Sequence, residues 1–371
     1  MRFTINKNEF LKSLSVVSKP IPSKSFIASL VFVKLSLDDR GLTLVGSNES
    51  IAISTIINFT EGDKEIIRNY KAGAILVQGH YLLEIVRKLS GDELTFELID
   101  NSVVQITDNR SSFKLNSAPA EEYPEYDFNE SGTEFTVNTK DFIALIEQTS
   151  FAAAQKENRP MLTAINLNGK DNKLTAVALD SARLSKKEIS IEENGEFTAN
   201  LPSRTANEII RMFEDVDKIN VVVNERKMFF KFGSTVIASN LLNGEYPNTN
   251  GLGPKSQNYI LEANAQEFLN TIDRVALLSN EKATVKLTVS SDEFEISSTT
   301  NEVGSAVEKI TNYQFQGNRF EVLVNSSFVI DAVKALRSDD ITLIFESELK
   351  AFIIKSEKDS SVIQLITPVR G

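Results

Sequence analysis

The chain has 371 residues, 41% hydrophobic and 25% charged, the balance of an ordinary soluble globular protein with ample core material. It has no cysteine, which excludes a disulfide framework, a thiolate metal site and a cysteine nucleophile. A net charge of −11, from 40 basic and 51 acidic residues, argues in sum against phosphate binding but leaves room for a locally basic surface within an acidic exterior.

The chain opens on an alternating strand, Phe3-Thr4-Ile5, with no apolar stretch of the signal-peptide kind ahead of it. Asn6 follows as a helix N-cap, and Glu9, three residues on, suits a capping box and the positive end of the helix dipole. Phe10, Leu11, Leu14 and Val17 then form one buried helical stripe. Strands are expected at Leu30–Leu35 and Leu42–Leu44. A second helix carries Leu82-x-Glu84-Ile85-Val86-Arg87-x-Leu89, and two more strands, Leu94–Leu98 and Ser102–Ile106, close the unit. Glu122-Tyr123-Pro124 marks its end.

The same order is then written twice more, at intervals of about 123–126 residues. The second copy has Phe135-Thr136-Val137, Asn138 and a stripe from Asp141 through Phe142, Ile143 and Ile146. Strands at Thr163–Leu167 and Leu174–Val177 lead to the helix Ala206-x-Glu208-Ile209-Ile210-Arg211-x-Phe213, then Ile219–Val223 and Met228–Phe232, ending on Glu245-Tyr246-Pro247. The third has Leu261–Ala263, Asn264 and Glu267 through Val275, then strands Val285–Val289 and Phe294–Ile296. Its second helix reads Val329-x-Asp331-Ala332-Val333-Lys334-x-Leu336, followed by Ile341–Phe345 and Ala351–Ile354. Each unit is domain-sized, so the expectation is an α+β chain of three similar domains, 1–129, 130–249 and 250–371, each with two helices on antiparallel sheet. No apolar run reaches membrane-spanning length, so a cytoplasmic protein without membrane contact is expected.

A catalytic reading finds little. P-loop, dinucleotide-binding and G-x-S-x-G patterns are all missing, and the lone His80 excludes a multi-histidine metal site within one chain. His80 reads as a solvated helix-end residue, and the acid pairs Asp38-Asp39 and Asp339-Asp340 as turn acids. No cofactor is expected. Arg87, Arg211 and Lys334 share one helical position, three residues after an acid. They are either i,i+3 ion pairs worth a few tenths of a kcal/mol or, with like domains around an axis, a basic lining.

Specific stretches take the reading further. Arg159-Pro160-Met161-Leu162-Thr163, Asp180-Ser181-Ala182-Arg183-Leu184, Arg274–Lys282 and the tail Gln364–Arg370, with the two Tyr-Pro boundaries, make the whole chain resemble the bacterial DNA polymerase III beta subunit family of processivity sliding clamps. The resemblance implies a head-to-tail homodimer whose six domains close into a ring around duplex DNA. It implies a tether for the replicative polymerase's catalytic subunit, with a clamp loader and other clamp-binding-motif proteins as further partners, and no catalysis. By resemblance Lys24, Gln155, Lys156 and Arg204 join Arg87, Arg211 and Lys334 as DNA-facing residues, while Phe113 and Leu115 meet Leu277 and Leu278 across the dimer contact.

Partner peptides of such proteins enter an apolar pocket between the second and third domains. The matching positions are Arg159, Leu162, Leu179, Arg183, Leu184, Pro247, Leu252, Leu349, Leu365, Ile366, Pro368, Val369 and Arg370. Aliphatic walls suit hydrophobic anchors, and Arg and backbone groups suit their orientation. Three positions depart from the family pattern: Ala182 where His is usual, Gly251 where a basic residue is common, and Thr367 in place of an apolar residue. A second reading of the residues is a three-domain peptide-binding scaffold of similar fold that never encloses DNA.

Overall fold

The computed structural model describes residues 1–100, 102–156, 159–192, 195–213, 216–300 and 303–370. Among them are six α-helices, two from each sequence repeat: α1 (Lys7–Ser18), α2 (Gly79–Lys88), α3 (Thr139–Glu147), α4 (Ser203–Ile210), α5 (Ala265–Ala276) and α6 (Ser326–Leu336). All the paired strands are antiparallel, so the architecture is α+β as expected.

The caps explain where helices begin. Asn6 Oδ1 accepts from the N–H groups of Asn8 and Glu9, at 3.1 and 3.2 Å, and Asn264 and Asn325 accept from Glu267 and Phe328, each at 3.0 Å. The second half of the capping box is not formed. The Asn6 N–H donates to Ile66 O at 3.0 Å, and the Glu267 carboxylate accepts instead from the Thr311 N–H at 3.3 Å. Sheet pairing thus takes the donor that a box would have used.

Helix ends show a second departure. The motif of the second repeat extends to Phe213, but α4 ends at Ile210. The Met212 N–H reaches back three residues to Ile209 O at 2.9 Å, and this tighter turn drives Met212 and Phe213 into the core. In the third repeat Arg337, the residue after Leu336, adopts a left-handed conformation (φ 53°), which stops α6 at Leu336.

The chain folds into two compact units whose border runs through the second repeat. One comprises Met1–Thr139 with Glu208–Leu241, the other Lys140–Asn207 with the chain from Leu242 onward. In the first unit a 13-stranded sheet combines the long strands of repeat one with Thr133–Asn138, Lys218–Val223, Lys227–Phe232 and Thr235–Asn240 of repeat two. The join is Thr235–Ser239 against Ile51–Thr55, sealed by buried Thr55 and Thr235 hydroxyls 3.0 Å apart. Helix α1 buries Phe10, Leu14 and Val17, and Phe10 and Phe3 pack on Phe96, each with ring centroids 4.9 Å apart. Each such aliphatic or aromatic burial stabilises by roughly 1.5–3 kcal/mol. Gly46 is required for this packing, because a Cβ there would lie 1.9 Å from Val17 O at the end of α1.

In the second unit a nine-stranded sheet runs from Phe197–Pro202 of repeat two to Tyr313–Gln316 of repeat three. The join here is Arg183–Lys187 against Val362–Ile366. A separate four-stranded sheet ends on Gly304–Lys309. Helices α5 and α6 pack on each other over a core that includes Phe268, Ile272, Phe294, Val329, Phe345 and Phe352. Neighbouring repeats therefore share sheets, which no single repeat could announce.

The two Tyr-Pro boundaries are anchored alike. Tyr123 hydroxyl lies 2.8 Å from Ser47 Oγ; Tyr246 hydroxyl accepts from the Leu179 N–H at 3.2 Å and donates to Ala164 O at 3.3 Å. Burial pushes both phenols up to about 12. Each boundary tyrosine thus ties the end of its repeat back to that repeat's own strands.

Candidate functional site

The sequence-predicted pocket residues all fall in the second unit, around the join between Arg183–Ser190 and Val362–Ile366. Leu184 pairs with both Leu179 and Leu365, and Arg183 with Ile366, so five predicted positions meet on three adjacent strands. Asp180 builds the turn ahead of them: its Oδ1 accepts from the N–H groups of Ala182 and Arg183, at 2.8 and 2.9 Å. The tail is tied to the same turn, since the Thr367 N–H donates to Ala182 O and the Val369 N–H to Leu323 O, each at 2.8 Å. Pro368 is buried between these anchors, whereas Thr367 and Arg370 are exposed.

The pocket positions divide by burial. Leu162, Leu365 and Ile366 are buried, with the Leu162 N–H bonded to Arg159 O at 3.1 Å. Leu179, Leu184 and Val369 are half-buried, and Arg159, Pro247, Leu252 and Leu349 are exposed. A Cβ added at Gly253 would lie 3.3 Å from Leu365 Cδ1, which places the segment after Leu252 directly against Leu365. Leu349 lies in the turn between Asp340–Phe345 and Phe352–Lys355, and the second of these strands pairs with Val362–Ile366. Gly251 has φ +77° and open space around its Cβ position, so backbone conformation accounts for the glycine there.

Arg183 is not presented to solvent. Its guanidinium sits over the rings of Phe328 and Phe151, 4.5 and 5.4 Å from their centroids. Nε donates to Asp180 Oδ2 at 3.1 Å and Nη1 to Asp331 Oδ2 at 2.7 Å, and the side chain is 13% exposed. Arg183 thus braces the wall strand against α6. Of the two readings of Lys334, an i,i+3 pair with Asp331 or a basic lining, the pair is not the one formed: Asp331 accepts from Arg183, and Lys334 is exposed.

The i,i+3 ion pair does form in the first repeat, where Arg87 Nη1 donates to Glu84 Oε1 at 2.7 Å and Lys88 lies 3.6 Å from the same carboxylate. In the second repeat Glu208 accepts from Asn48 Nδ2 at 3.5 Å, and Arg211 is exposed. Lys24, Gln155, Lys156 and Arg204 are exposed as well. The helices differ in charge from the rest of the chain. Together they carry Lys7, Lys12, Arg87, Lys88, Lys140, Arg204, Arg274 and Lys334 against Glu9, Glu84, Asp141, Glu147, Glu208, Glu267, Asp273 and Asp331. The six helices taken together are neutral, so the whole of the −11 resides in strands and loops.

Of the four predicted dimer-contact residues, Leu277 is 80% and Phe113 41% exposed, while Leu115 and Leu278 are half-buried. Two strand edges accompany them. Gly304–Lys309 is the last strand of its sheet, and Val307 on it is 60% exposed. Ser112–Asn116 pairs with Val103–Thr107 on one side; among the described residues, only its continuation Ser117–Pro119 is paired on the other. Arg274, three residues before Leu277, forms an ion pair with Glu308 of the edge strand. The described residues include no cluster of His, Cys, Asp and Glu fit to hold a metal ion, and no helix long and apolar enough to cross a membrane.

An α+β chain of three like domains, with helices of no net charge, open sheet edges and buried Leu365 and Ile366 ahead of its tail, defines a multidomain scaffold. Family models of the DNA polymerase III beta subunit match it in order: the N-terminal domain over residues 1–127, the central domain over 136–248 and the C-terminal domain over 251–370. The chain belongs to the DNA polymerase III beta subunit family. It is 32% identical to the beta sliding clamp of Bacillus subtilis and 30% to that of Halalkalibacterium halodurans, in both cases over 100% of each protein. Its fold superposes on the crystal structure of the Bacillus subtilis DNA polymerase sliding clamp with a TM-score of 0.94 at 31% identity, covering 100% of this chain and 99% of that one. The DNA polymerase III beta chain of Streptococcus pneumoniae gives 0.94 at 30% identity over 100% of both chains.

Proposed function

We propose that the protein is the sliding clamp of a bacterial replicative DNA polymerase, a non-catalytic processivity factor acting in the cytoplasm. The observation that carries this reading is the ordered match of all three domain models along one chain, joined to full-length likeness to proteins named sliding clamps. In this reading three domains, bounded near residues 129 and 250, form half of a ring that a second copy completes head to tail around duplex DNA.

The surfaces described above fit each part of that task. Exposed apolar edges invite pairing with another chain, and Phe113 with Ser112–Asn116 on one copy facing Leu277 with Gly304–Lys309 on the other would cover both. A heterologous contact of this kind closes after two copies and leaves no edge open. With no net charge on the helices, Lys24, Arg87, Gln155, Lys156, Arg204, Arg211 and Lys334 would meet phosphates without a uniformly repulsive lining. Phosphate contacts alone carry no sequence information, so the ring slides. The floor of Leu162, Leu365 and Ile366, with exposed Leu252 and Leu349 beside it, takes the apolar anchors of partner peptides from the polymerase, the clamp loader and other proteins.

Single-encounter primer extension on a circular template tests the function. With the cognate polymerase and clamp loader, adding this protein lengthens each product many-fold. Unchanged product length contradicts a processivity role.

A further inference from the structure

We propose that the loop between α1 and the strand Phe32–Asp38 is a base-stacking element for single-stranded DNA, with Phe26 as the stacking ring and Lys24 as its phosphate contact. This rests on the clamp reading above and adds to it a ligand, the unpaired bases beside a primer–template junction, that encirclement of duplex does not require.

Phe26 is the most exposed large apolar side chain among the described residues; its ring is fully solvent-accessible, and Ile27 beside it is also exposed. A lone phenylalanine in water forgoes the roughly 1.5–3 kcal/mol that burial supplies, so its presence at a loop tip points to a partner. The shape of the loop keeps the ring outward: Ser25 Oγ accepts from the Ile27 N–H at 3.1 Å and the Leu30 N–H donates to Ile27 O at 3.0 Å.

Charge indicates which partner. Between Glu9 and Asp38 the chain has no acidic residue at all, but has Lys12, Lys19, Lys24 and Lys34. In a protein of net charge −11 this is a strongly biased segment, and Lys12, Lys19 and Lys24 are exposed on it. An apolar protein surface gains little from such a surround. A nucleic acid strand presents what the loop complements, phosphates for lysine and π-faces for an aromatic ring. Duplex DNA keeps its bases stacked inside, so the ring finds a free face only where bases are unpaired. Stacking on any base is sequence-tolerant, which suits a protein that reads no sequence.

The test uses the full-length protein and two short DNAs of equal length, one fully duplex and one a primed template with 2-aminopurine as the first unpaired template base. Phe26→Ala is expected to weaken binding to the primed template by at least about fivefold, to leave duplex affinity unchanged and to abolish 2-aminopurine quenching. Phe26→Trp restores quenching, and Lys24→Ala weakens both DNAs alike. The melting temperature of Phe26→Ala stays at the wild-type value, because the ring packs on nothing; a fall would place it in the core and overturn the assignment. Equal affinities of wild type and Phe26→Ala for the primed template also overturn it, and would leave the ring to a protein partner. Failure of the clamp reading is seen separately, as wild-type protein that does not lengthen polymerase products.

Discussion

Leu277 and Leu278 offer the sharpest test of how two copies meet. In the single chain Leu277 is 80% exposed at the end of α5 and Leu278 half-buried, so replacing both with Asp removes little from the fold itself. In a closed ring both would be covered at each of two junctions. Covering Leu277 contributes about 2 kcal/mol and Leu278 about 1 kcal/mol per junction, and a carboxylate forced into the same apolar contact costs a further few kcal/mol. The loss is about 5 kcal/mol per junction and about 10 kcal/mol for a ring that must break both, which is roughly seven decades in the dissociation constant. Light scattering on the double variant at micromolar concentration should give the 41.2 kDa chain mass, and the parent protein twice that. Circular dichroism should show parent-like helix content. A variant that keeps the dimer mass refutes the placement of these residues in the contact, and a parent protein that is itself monomeric refutes the ring.

Other outcomes follow from the pocket and from titration. Truncating the chain from Pro368 onward removes the Val369–Leu323 hydrogen bond and one wall of the floor, so affinity for an apolar clamp-binding peptide should fall at least about a hundredfold by fluorescence anisotropy while dimer mass is unchanged. Asp331→Ala leaves the Arg183 guanidinium without its 2.7 Å partner; with Asp331 46% exposed, the cost should be about 1–2 kcal/mol in urea unfolding, with weaker peptide binding as the wall strand loosens. Tyr123 and Tyr246 hold folded pKa values of about 12 against about 10 unfolded, so the neutral phenol is favoured in the native state. The stabilisation is complete below pH ~10 and is lost as pH rises toward ~12, about 2–3 kcal/mol per tyrosine. Tyr123→Phe should flatten the fall in stability between pH 10 and 12 in chemical denaturation, and an unchanged slope would contradict burial as the cause.

What was legible in the sequence was local. Asn6 and Asn264 cap helices as their positions implied, because capping needs only residues two or three apart. The apolar stripes of α1 and α5 are buried at Phe10, Leu14 and Val17 and at Phe268, Ile272 and Val275, for the same reason, while Leu11 and Leu269 at their margins are half-buried. The nonlocal features were not legible. Nothing near Thr235 indicates that its strand will pair with Ile51–Thr55 of the preceding repeat, nor does Arg183 reveal that Asp331, 148 residues away, will hold it. Glu9 and Glu267 failed to complete capping boxes because the competing donors and acceptors come from distant strands. At the candidate pocket, the family resemblance implied apolar walls, but only the fold separates the buried Leu162 and Leu365 from the exposed Leu252 and Leu349. Phe26 drew no attention in the sequence, since a phenylalanine ahead of a strand reads as core until its exposure is seen.

Topology is the property that distinguishes a ring from every ordinary DNA-binding protein. The measurement is the amount of protein retained on a nicked circular plasmid after loading, in salt high enough to suppress phosphate contacts, before and after a single double-strand cut. Retention on the circle and release within minutes of linearisation is the expected result. Protein that washes off the intact circle, or stays equally on the cut one, would mean that this chain binds DNA without encircling it.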